Sequence, residues 1–212
     1  NITIGGTGVA FYKYKIRTTA STACSDSAGY SGSPIAVATL ISNNISANAD
    51  GVIELCVIGQ DSAGNWQTEA TATAGSWTKD TAAPTATIGG APSSTNNVTV
   101  LSVTIAGTDV THYKYKIRDA GDAACSVGSG YGAVTAVATA ITNSLTSYGD
   151  GVLQLCVVGS DIAGNWQTDA SATTTSWTKD ILPPAATLSG SPSGISLSTL
   201  LNITVAGTDV VQ

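Results

Sequence analysis

The chain has 212 residues, of which 42% are hydrophobic and only 10% are charged, and its net charge is −6. This balance excludes a nucleic-acid-binding protein, because such proteins need a concentrated positive field and this chain has only eight Lys and Arg residues. No apolar run approaches the roughly 18 residues of a membrane-spanning helix, so no membrane span is expected in this segment.

The sequence repeats itself after about one hundred residues. Residues 2–7 read ITIGGT, and closely related segments return at residues 103–109 and 203–209. Such a period indicates a tandem array, which we expect to continue beyond the ends of this chain. We place the first repeat at residues 1–82, the second at 83–182, and the opening strands of an incomplete third at 183–212.

The first strongly patterned segment is residues 12–17, YKYKIR, which returns at residues 113–118. Strict alternation predicts a half-buried strand with Tyr12, Tyr14 and Ile16 on its core face. The opposite face carries most of the basic residues of the chain. It has two interpretations, a solvated face or a contact stripe for an acidic partner or a neighbouring subunit. The stripe would consist of Lys13, Lys15, Arg17, Lys114, Lys116 and Arg118.

A small, polar loop follows at residues 18–34 and contains the first cysteine. Each repeat has one cysteine pair, Cys24 with Cys56 and Cys125 with Cys156. Two pairs in two copies predict two intradomain disulfides and therefore an extracellular or cell-surface location. Four free thiols are the alternative, and zinc is disfavoured because the chain has no CxxC motif and a single histidine.

The central strand of each repeat follows a turn at Asp50-Gly51 or Asp150-Gly151. We expect Ile53, Leu55 and Val57 to face the core, which places Cys56 on the outer face. The disulfide would then hold the loop over the apolar outer residues Val52 and Ile58. The equivalent outer residues in the second copy are Val152 and Val158.

A tight turn and a last strand complete each repeat. The turn at residues 61–65 reads DSAGN, and a strand is predicted from Trp66 to Trp77. Short Pro-containing linkers then follow near residues 82 and 182. Because proline restricts the backbone, these linkers should hold successive domains in a semi-rigid array.

These motifs resemble the bacterial immunoglobulin-like, or fibronectin-III-like, repeats that occur in tandem in very large surface and secreted proteins. The matching segments are Asp50-Gly51, Asp61 to Asn65, and Ser76 to Thr85, with their copies one repeat later. The resemblance implies an all-β fold of tandem immunoglobulin-like antiparallel β-sandwiches, here each with one internal disulfide. The cysteine pair and its loop depart from the general pattern of such repeats. Independently, several short alternating strands with Gly, Asp and Asn turns predict an antiparallel sandwich.

The sequence gives no support for an enzyme. The single histidine, His112, corresponds to Phe11 in the first copy, and Glu54 is replaced by Gln154 in the second. No cofactor is expected except calcium, which some repeats of this type bind at domain junctions through aspartates. The candidate ligands are Asp61, Asp80, Asp161 and Asp180, and the alternative is that these residues cap turns.

Domains similar to these act as stalks, adhesin shafts or filament subunits. We therefore expect a structural segment of an extracellular stalk, fibre or surface filament. Its partners would be neighbouring repeats of the same chain and identical subunits in a filament. The alternative is an adhesin module that recognises a glycan or a host protein.

Overall fold

In a computed structural model, which describes residues 1–209, the chain is an all-β protein with antiparallel sheets and two disulfides. It divides into two compact units, Asn1–Ala82 and Ala83–Gln212. The division after Ala82 coincides with the start of the first Pro-containing linker. Residues 183–209 are part of the second unit, and the predicted boundary near residue 182 stays a prediction.

Unit 1 contains one four-stranded sheet and a short 3-10 helix, Glu69–Thr71. The strand order is β2-β1-β3-β4, and all pairs are antiparallel. Its strands are β1 (Phe11–Thr18), β2 (Ile35–Ala36), β3 (Gly51–Gln60) and β4 (Thr73–Lys79).

The core face of this sheet is the one that the alternation predicts. Ile53, Leu55 and Val57 of β3 are buried, and Tyr12 of β1 is fully buried beside them. Tyr12 also donates its hydroxyl proton to the carbonyl oxygen of Thr39 at 2.8 Å, so its polar end is satisfied inside the fold. The predicted core residues of β3 are confirmed.

Two expected strands of unit 1 differ from the prediction. Residues 2–7 form only a single β-bridge, between Ile2 and Ile41. The last strand begins at Thr73 rather than Trp66, because the 3-10 helix Glu69–Thr71 interrupts it. The hydroxyl and carbonyl of Thr68 bond to Thr71, and these local hydrogen bonds replace the ladder bonds of an extended strand.

Unit 2 has a three-stranded sheet of order β10-β7-β5 and a five-stranded sheet of order β6-β12-β11-β8-β9. All pairs are antiparallel except β6 with β12, which are parallel. Its strands are β5 (Thr87–Gly89), β6 (Thr95–Asn96), β7 (Val100–Ala106), β8 (His112–Arg118), β9 (Thr135–Ala136), β10 (Ile141–Ser144), β11 (Gly151–Ser160) and β12 (Thr173–Lys179). A 3-10 helix, Asp169–Ser171, precedes β12.

The two sheets of unit 2 face each other across one hydrophobic core. Leu101 and Val103 of β7 pack from one side, and Leu153 and Leu155 of β11 from the other. Trp177 of β12 lies in the same core and is only 2% exposed. Burial of side chains from two facing sheets is the arrangement of a β-sandwich.

The last described part of the chain is a hairpin of β13 (Ala185–Ser189) and β14 (Thr204–Thr208), which pair antiparallel. Most of its side chains are exposed, including those of Leu188 and Val205. In the part of the chain that is described, no helix has the length and apolarity needed to cross a bilayer.

Candidate functional site

The most organised region in each unit is the loop that the disulfide fixes. We call residues 19–34 and 119–134 the clipped loops. Cys24 is bonded to Cys56 of β3, and Cys125 to Cys156 of β11. Both strand cysteines are fully buried, on the strand face opposite the core residues. Each loop is therefore attached to the outer face of its own sheet.

A buried lysine fixes each clipped loop at a second point. The Lys15 ammonium donates to the carbonyl oxygens of Ala23, Asp26 and Ala28 at 2.6, 2.6 and 3.1 Å. Only 4% of the Lys15 surface is exposed. Because a charge buried at this depth is costly without partners, these three bonds largely determine the path of the loop.

Unit 2 repeats this contact, with a different residue at two of the three acceptor positions. The Lys116 ammonium donates to the carbonyl oxygens of Ala124, Val127 and Ser129 at 2.7, 2.7 and 3.0 Å. All six bonds use backbone carbonyls, which every residue possesses. The contact is therefore preserved although the loop residues differ between the two copies.

A tyrosine in each clipped loop covers the lysine. The rings of Tyr30 and Tyr131 each lie 4.7 Å from the ammonium of Lys15 and Lys116 respectively, within cation–π range. Their hydroxyls donate to the carbonyls of Cys24 and Cys125 at 2.8 Å. Burial, assisted by the nearby charge of Asp169, raises the pKa of Tyr131 to about 12, so this hydroxyl remains a donor over the physiological range.

The remaining members of the proposed contact stripe also bind within their own unit. The Arg17 guanidinium pairs with the carboxylate of Glu54 and donates to the Ser21 carbonyl. The equivalent guanidinium of Arg118 donates to the Gln154 side chain at 2.9 Å and to the Asp122 carbonyl.

The two remaining lysines of the contact stripe each lie over a tryptophan ring. The ammonium of Lys13 lies 4.9 Å from the ring centre of Trp66, and that of Lys114 lies 4.4 Å from Trp166. Two of the six residues of the contact stripe, Lys15 and Lys116, are thus buried, and all six have partners within their own unit. Contact of the stripe with an acidic partner or a neighbouring subunit stays a prediction.

The four apolar residues on the outer face of the central strands differ in burial. Ile58 and Val158 are buried, at 4% and 3% exposure. Val52 and Val152, at the other end of the same strands, are 46% and 59% exposed. On this face of the strand, burial is therefore confined to the cysteine and the residues beyond it.

Each of the four candidate calcium ligands accepts a hydrogen bond from at least one backbone amide. Asp61 accepts bonds from the amides of Ala63 and Asn65 and from the Asn65 side chain at 2.8–2.9 Å. The amide bonds from Asn65 lower the pKa of Asp61 below its ordinary value. Asp161 has the same arrangement: burial raises its pKa, but the bonds from Asn165 and Gly164 outweigh burial and the net pKa is lowered.

The other two candidates, Asp80 and Asp180, accept bonds from Ala82 and Leu182 at 3.1 Å. None of the four lies in a group of three metal-ligating residues within residues 1–209. The group found there is Cys24, Glu54 and Cys56, whose two sulfurs are already joined to each other. Calcium binding by these aspartates stays a prediction.

A separate aspartate anchors the end of each unit. Asp50 accepts bonds from the Lys79 ammonium at 2.8 Å and from the Thr81 amide at 3.0 Å. Asp150 accepts equivalent bonds from Lys179 at 3.3 Å and Ile181 at 3.1 Å. These contacts tie the first residues after the last strand to the turn that precedes the central strand of the same unit.

The two units differ at a glutamine after the turn. Gln167 accepts hydrogen bonds from the amides of Ala86 and Gly159, both at 3.2 Å, and so joins the start of β5 to β11. In unit 1 the equivalent Gln67 accepts from Gly59 at 3.1 Å.

The single histidine lies on an exposed strand end. His112 is exposed, and one ring nitrogen lies 3.1 Å from the hydroxyl of Thr111. Its partner strand places Ser160 opposite it in the sheet register.

The sequence matches no protein-family model and no curated protein. Among solved structures, the chain is similar to a tetra-tandem repeat in the extending region of a large adhesion protein, with 21% identity and a TM-score of 0.35. The match covers 85% of this chain and 45% of that one, so this chain spans less than half the length of that structure.

Sequence reasoning missed the lysine contact, the aspartate anchor and the bridging glutamine. A signal for the first existed: Lys15 lies opposite Cys56 in the strand register, as Lys116 lies opposite Cys156. A side chain beside the attachment point of a loop must lie beneath that loop. The other two contacts join residues about 30 and 80 positions apart and leave no local pattern.

Proposed function

We propose that this chain is a structural segment of an extracellular stalk, fibre or surface filament, made of tandem immunoglobulin-like β-sandwiches. The observation that carries the proposal is the repeated fixing of the clipped loop by a disulfide, a buried lysine and a tyrosine. Long loops that bind or catalyse usually retain mobility. A loop of 16 residues (19–34) that a disulfide, a buried lysine and a tyrosine ring over that lysine hold to its sheet favours a rigid, protease-resistant scaffold.

The strand order of unit 2 supports the immunoglobulin-like assignment. Its first, third and sixth strands form one sheet, and its fourth, fifth, seventh and eighth strands form the other with the short β6 at the edge. Crossing between two facing antiparallel sheets in this order is characteristic of that sandwich architecture. The disulfide joins a loop to the outer face of one sheet, whereas antibody domains bridge their two sheets through the core.

The anchors at Asp50 and Asp150 support a role in which the exit of each domain is fixed. Each binds both the last lysine of the final strand and the backbone of the residue two positions later. A linker that is bonded to the domain it leaves starts in a defined direction. Pro84, Pro183 and Pro184 then restrict the backbone immediately beyond these anchors.

The proposal includes no catalysis and no required cofactor. Calcium at Asp61, Asp80, Asp161 and Asp180 is a separate prediction. Titration calorimetry with calcium, and a melting curve with and without chelator, test it directly. Absence of binding heat together with an unchanged melting temperature would remove it.

Immunogold electron microscopy on the producing cells tests the structural role. With antibodies raised against the whole chain, we expect gold particles spaced along the length of a surface fibre. Labelling confined to the outer end of a fibre would favour the adhesin alternative. Selective binding of the chain on a glycan array would support that alternative independently. Labelling restricted to the cell interior would contradict both.

A further inference from the structure

The two disulfides occupy equivalent positions, but the charged groups beside them differ. We call the Cys24–Cys56 bond the first disulfide and the Cys125–Cys156 bond the second disulfide. A carboxylate oxygen of Glu54 lies within 4.8 Å of both sulfurs of the first disulfide. Its counterpart in unit 2 is the neutral Gln154. Within residues 1–209, no carboxylate oxygen lies this close to both sulfurs of the second disulfide.

The exchange of glutamate for glutamine changes the charge and keeps the contact that the side chain makes. Glu54 pairs with the Arg17 guanidinium, and Gln154 accepts a hydrogen bond from the Arg118 guanidinium at 2.9 Å. Each guanidinium also donates to a backbone carbonyl of its own clipped loop. The two units therefore differ by one negative charge at an otherwise matching position next to the disulfide.

A buried lysine lies beside the strand cysteine of each disulfide. In unit 2, Lys116 lies opposite Cys156 in the sheet register, and its ammonium donates to the carbonyl of Ala124, the residue before Cys125. A nearby ammonium stabilises a thiolate, which is the form in which a cysteine leaves when its disulfide is attacked. Because Cys156 is fully buried, a thiolate formed there needs such a counter-charge.

The loop cysteine is the accessible end of each disulfide. Cys24 and Cys125 are partly exposed, whereas both strand cysteines are fully buried. In unit 2 a cleft of about 220 Å³ is lined by residues of β8 and of the clipped loop, among them Lys116, Arg118 and Asp122. A small anion that approaches the clipped loop along this cleft meets two cations and one carboxylate. An attacking thiolate therefore reaches the loop cysteine before the strand cysteine.

The carboxylates of the unit 2 loop do not replace Glu54. The Asp122 side chain accepts a bond from the Asp119 amide at 3.1 Å, and the Asp119 side chain accepts one from the Gly121 amide at 2.8 Å. In the part of the chain that the structure describes, neither carboxylate forms a group with the two sulfurs. Because coulombic interactions weaken with distance and with screening by salt, a carboxylate next to the sulfurs has the larger effect on them.

We propose that the second disulfide is a site of thiol–disulfide exchange with small-molecule thiols, and that Glu54 protects the first disulfide from the same reaction. The thiolate of the small molecule attacks the sulfur of Cys125 and forms a mixed disulfide with it. The bond to Cys156 breaks, and its electron pair stays on the Cys156 sulfur as a thiolate beside Lys116. A second small thiolate then attacks the small-molecule sulfur of the mixed disulfide, which releases the Cys125 thiolate and a disulfide of the two small molecules.

In unit 1 the same attack would bring further negative charge next to Glu54. The carboxylate repels the incoming thiolate, and it also repels the thiolate that would leave on Cys56. At a separation of about 5 Å, this repulsion lowers the rate about fourfold in a water-like dielectric and more where solvent is excluded. The exchange goes beyond the proposed structural role, which does not require either disulfide to open.

Reaction of the full, folded chain with 2-mercaptoethanol, quenched with acid and followed by peptide mass spectrometry, tests the proposal. We expect a mixed disulfide at Cys125 and a free thiol at Cys156. Glu54→Gln should raise the rate at which the first disulfide reacts by at least about fourfold, and Gln154→Glu should lower that of the second by a similar factor. Both variants keep an acceptor for the neighbouring guanidinium, as each arrangement already occurs in one unit.

Each rate is compared with that of the same bond in the unaltered chain, so a difference in stability between the units does not affect the result. Glu69→Gln is the matched control, because it removes the same charge from unit 1 but lies outside the group around the sulfurs. It should leave the rate of the first disulfide unchanged.

Three results would overturn the proposal. They are unchanged rates in both Glu54→Gln and Gln154→Glu, an effect of Glu69→Gln as large as that of Glu54→Gln, or a mixed disulfide at Cys156 instead of Cys125. None of them affects the structural role, which the labelling pattern on the producing cells tests separately.

Discussion

The two units have nearly the same sequence pattern but unequal cores. Within the described residues, twelve buried residues form the core cluster of unit 2 and four form that of unit 1. The sheet that carries β1, β3 and β4 is present in both. The difference lies in the opposing layer, which is a three-stranded sheet in unit 2, whereas the described residues of unit 1 contribute the bridge between Ile2 and Ile41.

Some contacts in these units involve a single sheet, and others require two sheets that face each other. The clipped loop, its lysine and its tyrosine are the same in both units, because they lie on the outer face of the shared sheet. The burial of the tryptophan and the second bond of the glutamine occur only where the opposing layer is complete. Substitutions at equivalent positions of the clipped loop should therefore change the stability of the two units equally. Substitutions of the tryptophan or the glutamine should change it unequally.

The largest difference is expected at the tryptophans. Trp177→Ala should destabilise unit 2 by about 3–5 kcal/mol, because a fully buried indole leaves a cavity. Trp77→Ala should cost roughly 1–2 kcal/mol in unit 1, since less apolar area is lost from the interior. Hydrogen exchange followed by mass spectrometry reports each unit separately. Equal losses of protection in the two variants would contradict the comparison.

The buried lysines should instead behave alike. Lys15→Met and Lys116→Met keep the length of the side chain but leave carbonyls without a donor, at a cost of about 2 kcal/mol in the respective unit. Lys13→Met is the control, because it removes only a cation–π contact on the surface, worth about 0.5–1 kcal/mol. Denaturant unfolding measures all three. A large difference between Lys15→Met and Lys116→Met would show that the opposing layer affects the loop.

A smaller asymmetry is expected at the glutamines. Gln167→Leu leaves the amides of Ala86 and Gly159 without their acceptor, which should cost about 2 kcal/mol in unit 2. Gln67→Leu removes the acceptor of the Gly59 amide and, as Gln167→Leu does at Ser171, the donor to a backbone carbonyl, here that of Thr71. Because unit 1 has no bond equivalent to the one from Ala86, Gln67→Leu should cost about 1 kcal/mol less than Gln167→Leu. Protection of the Ala86 amide in exchange experiments is the most direct readout. Unchanged protection in Gln167→Leu would show that the bridge is unimportant.

The smallest expected effect is the dependence of the stability of unit 1 on pH. The bonds from Lys79 and Thr81 lower the pKa of Asp50 from its ordinary value of 3.8 to about 2. The stabilisation is therefore complete above about pH 3.8 and is lost as the pH falls through about 2. Asp50→Asn should flatten the dependence of unit 1 stability on pH in this window. NMR titration of the Asp50 carboxyl carbon checks the pKa itself, and a midpoint near 3.8 would contradict the anchor.

Features that depend on residues close together in the sequence could be predicted, whereas features that depend on an irregular loop could not. The alternation in residues 12–17 predicts β1 and its core face, and the cysteine spacing predicts both disulfides. Burial of Lys15 depends on three carbonyls from an irregular loop, which no periodic pattern encodes. The alternation places Lys13, Lys15 and Arg17 on one strand face, but it does not indicate which of them the loop buries.

The failures around strand ends have a similar cause. The 3-10 helix at Glu69–Thr71 arises from hydrogen bonds between Thr68 and Thr71, which resemble ordinary strand residues in the sequence. Residues 2–7 have the pattern of a strand, but a strand also needs neighbours. β7, which has the same pattern, pairs with β5 and β10, whereas Ile2 has only Ile41.

The disulfides limit how far the chain can lengthen under tension. The bonded cysteines lie 32 residues apart in unit 1 and 31 in unit 2. A force applied to the chain ends bypasses these residues, because the covalent bond carries the tension from the loop directly to β3 or β11. At about 3.4 Å per extended residue, the residues between the bonded cysteines would span about 110 Å. The disulfide keeps this length from extending even when all hydrogen bonds of the unit are broken. In a fibre of such domains, each domain that unfolds under force would therefore add only a short length, and the fibre would stop extending well before the length of the fully extended chain. Reduction of the disulfides would add about 110 Å to the length gained from each domain.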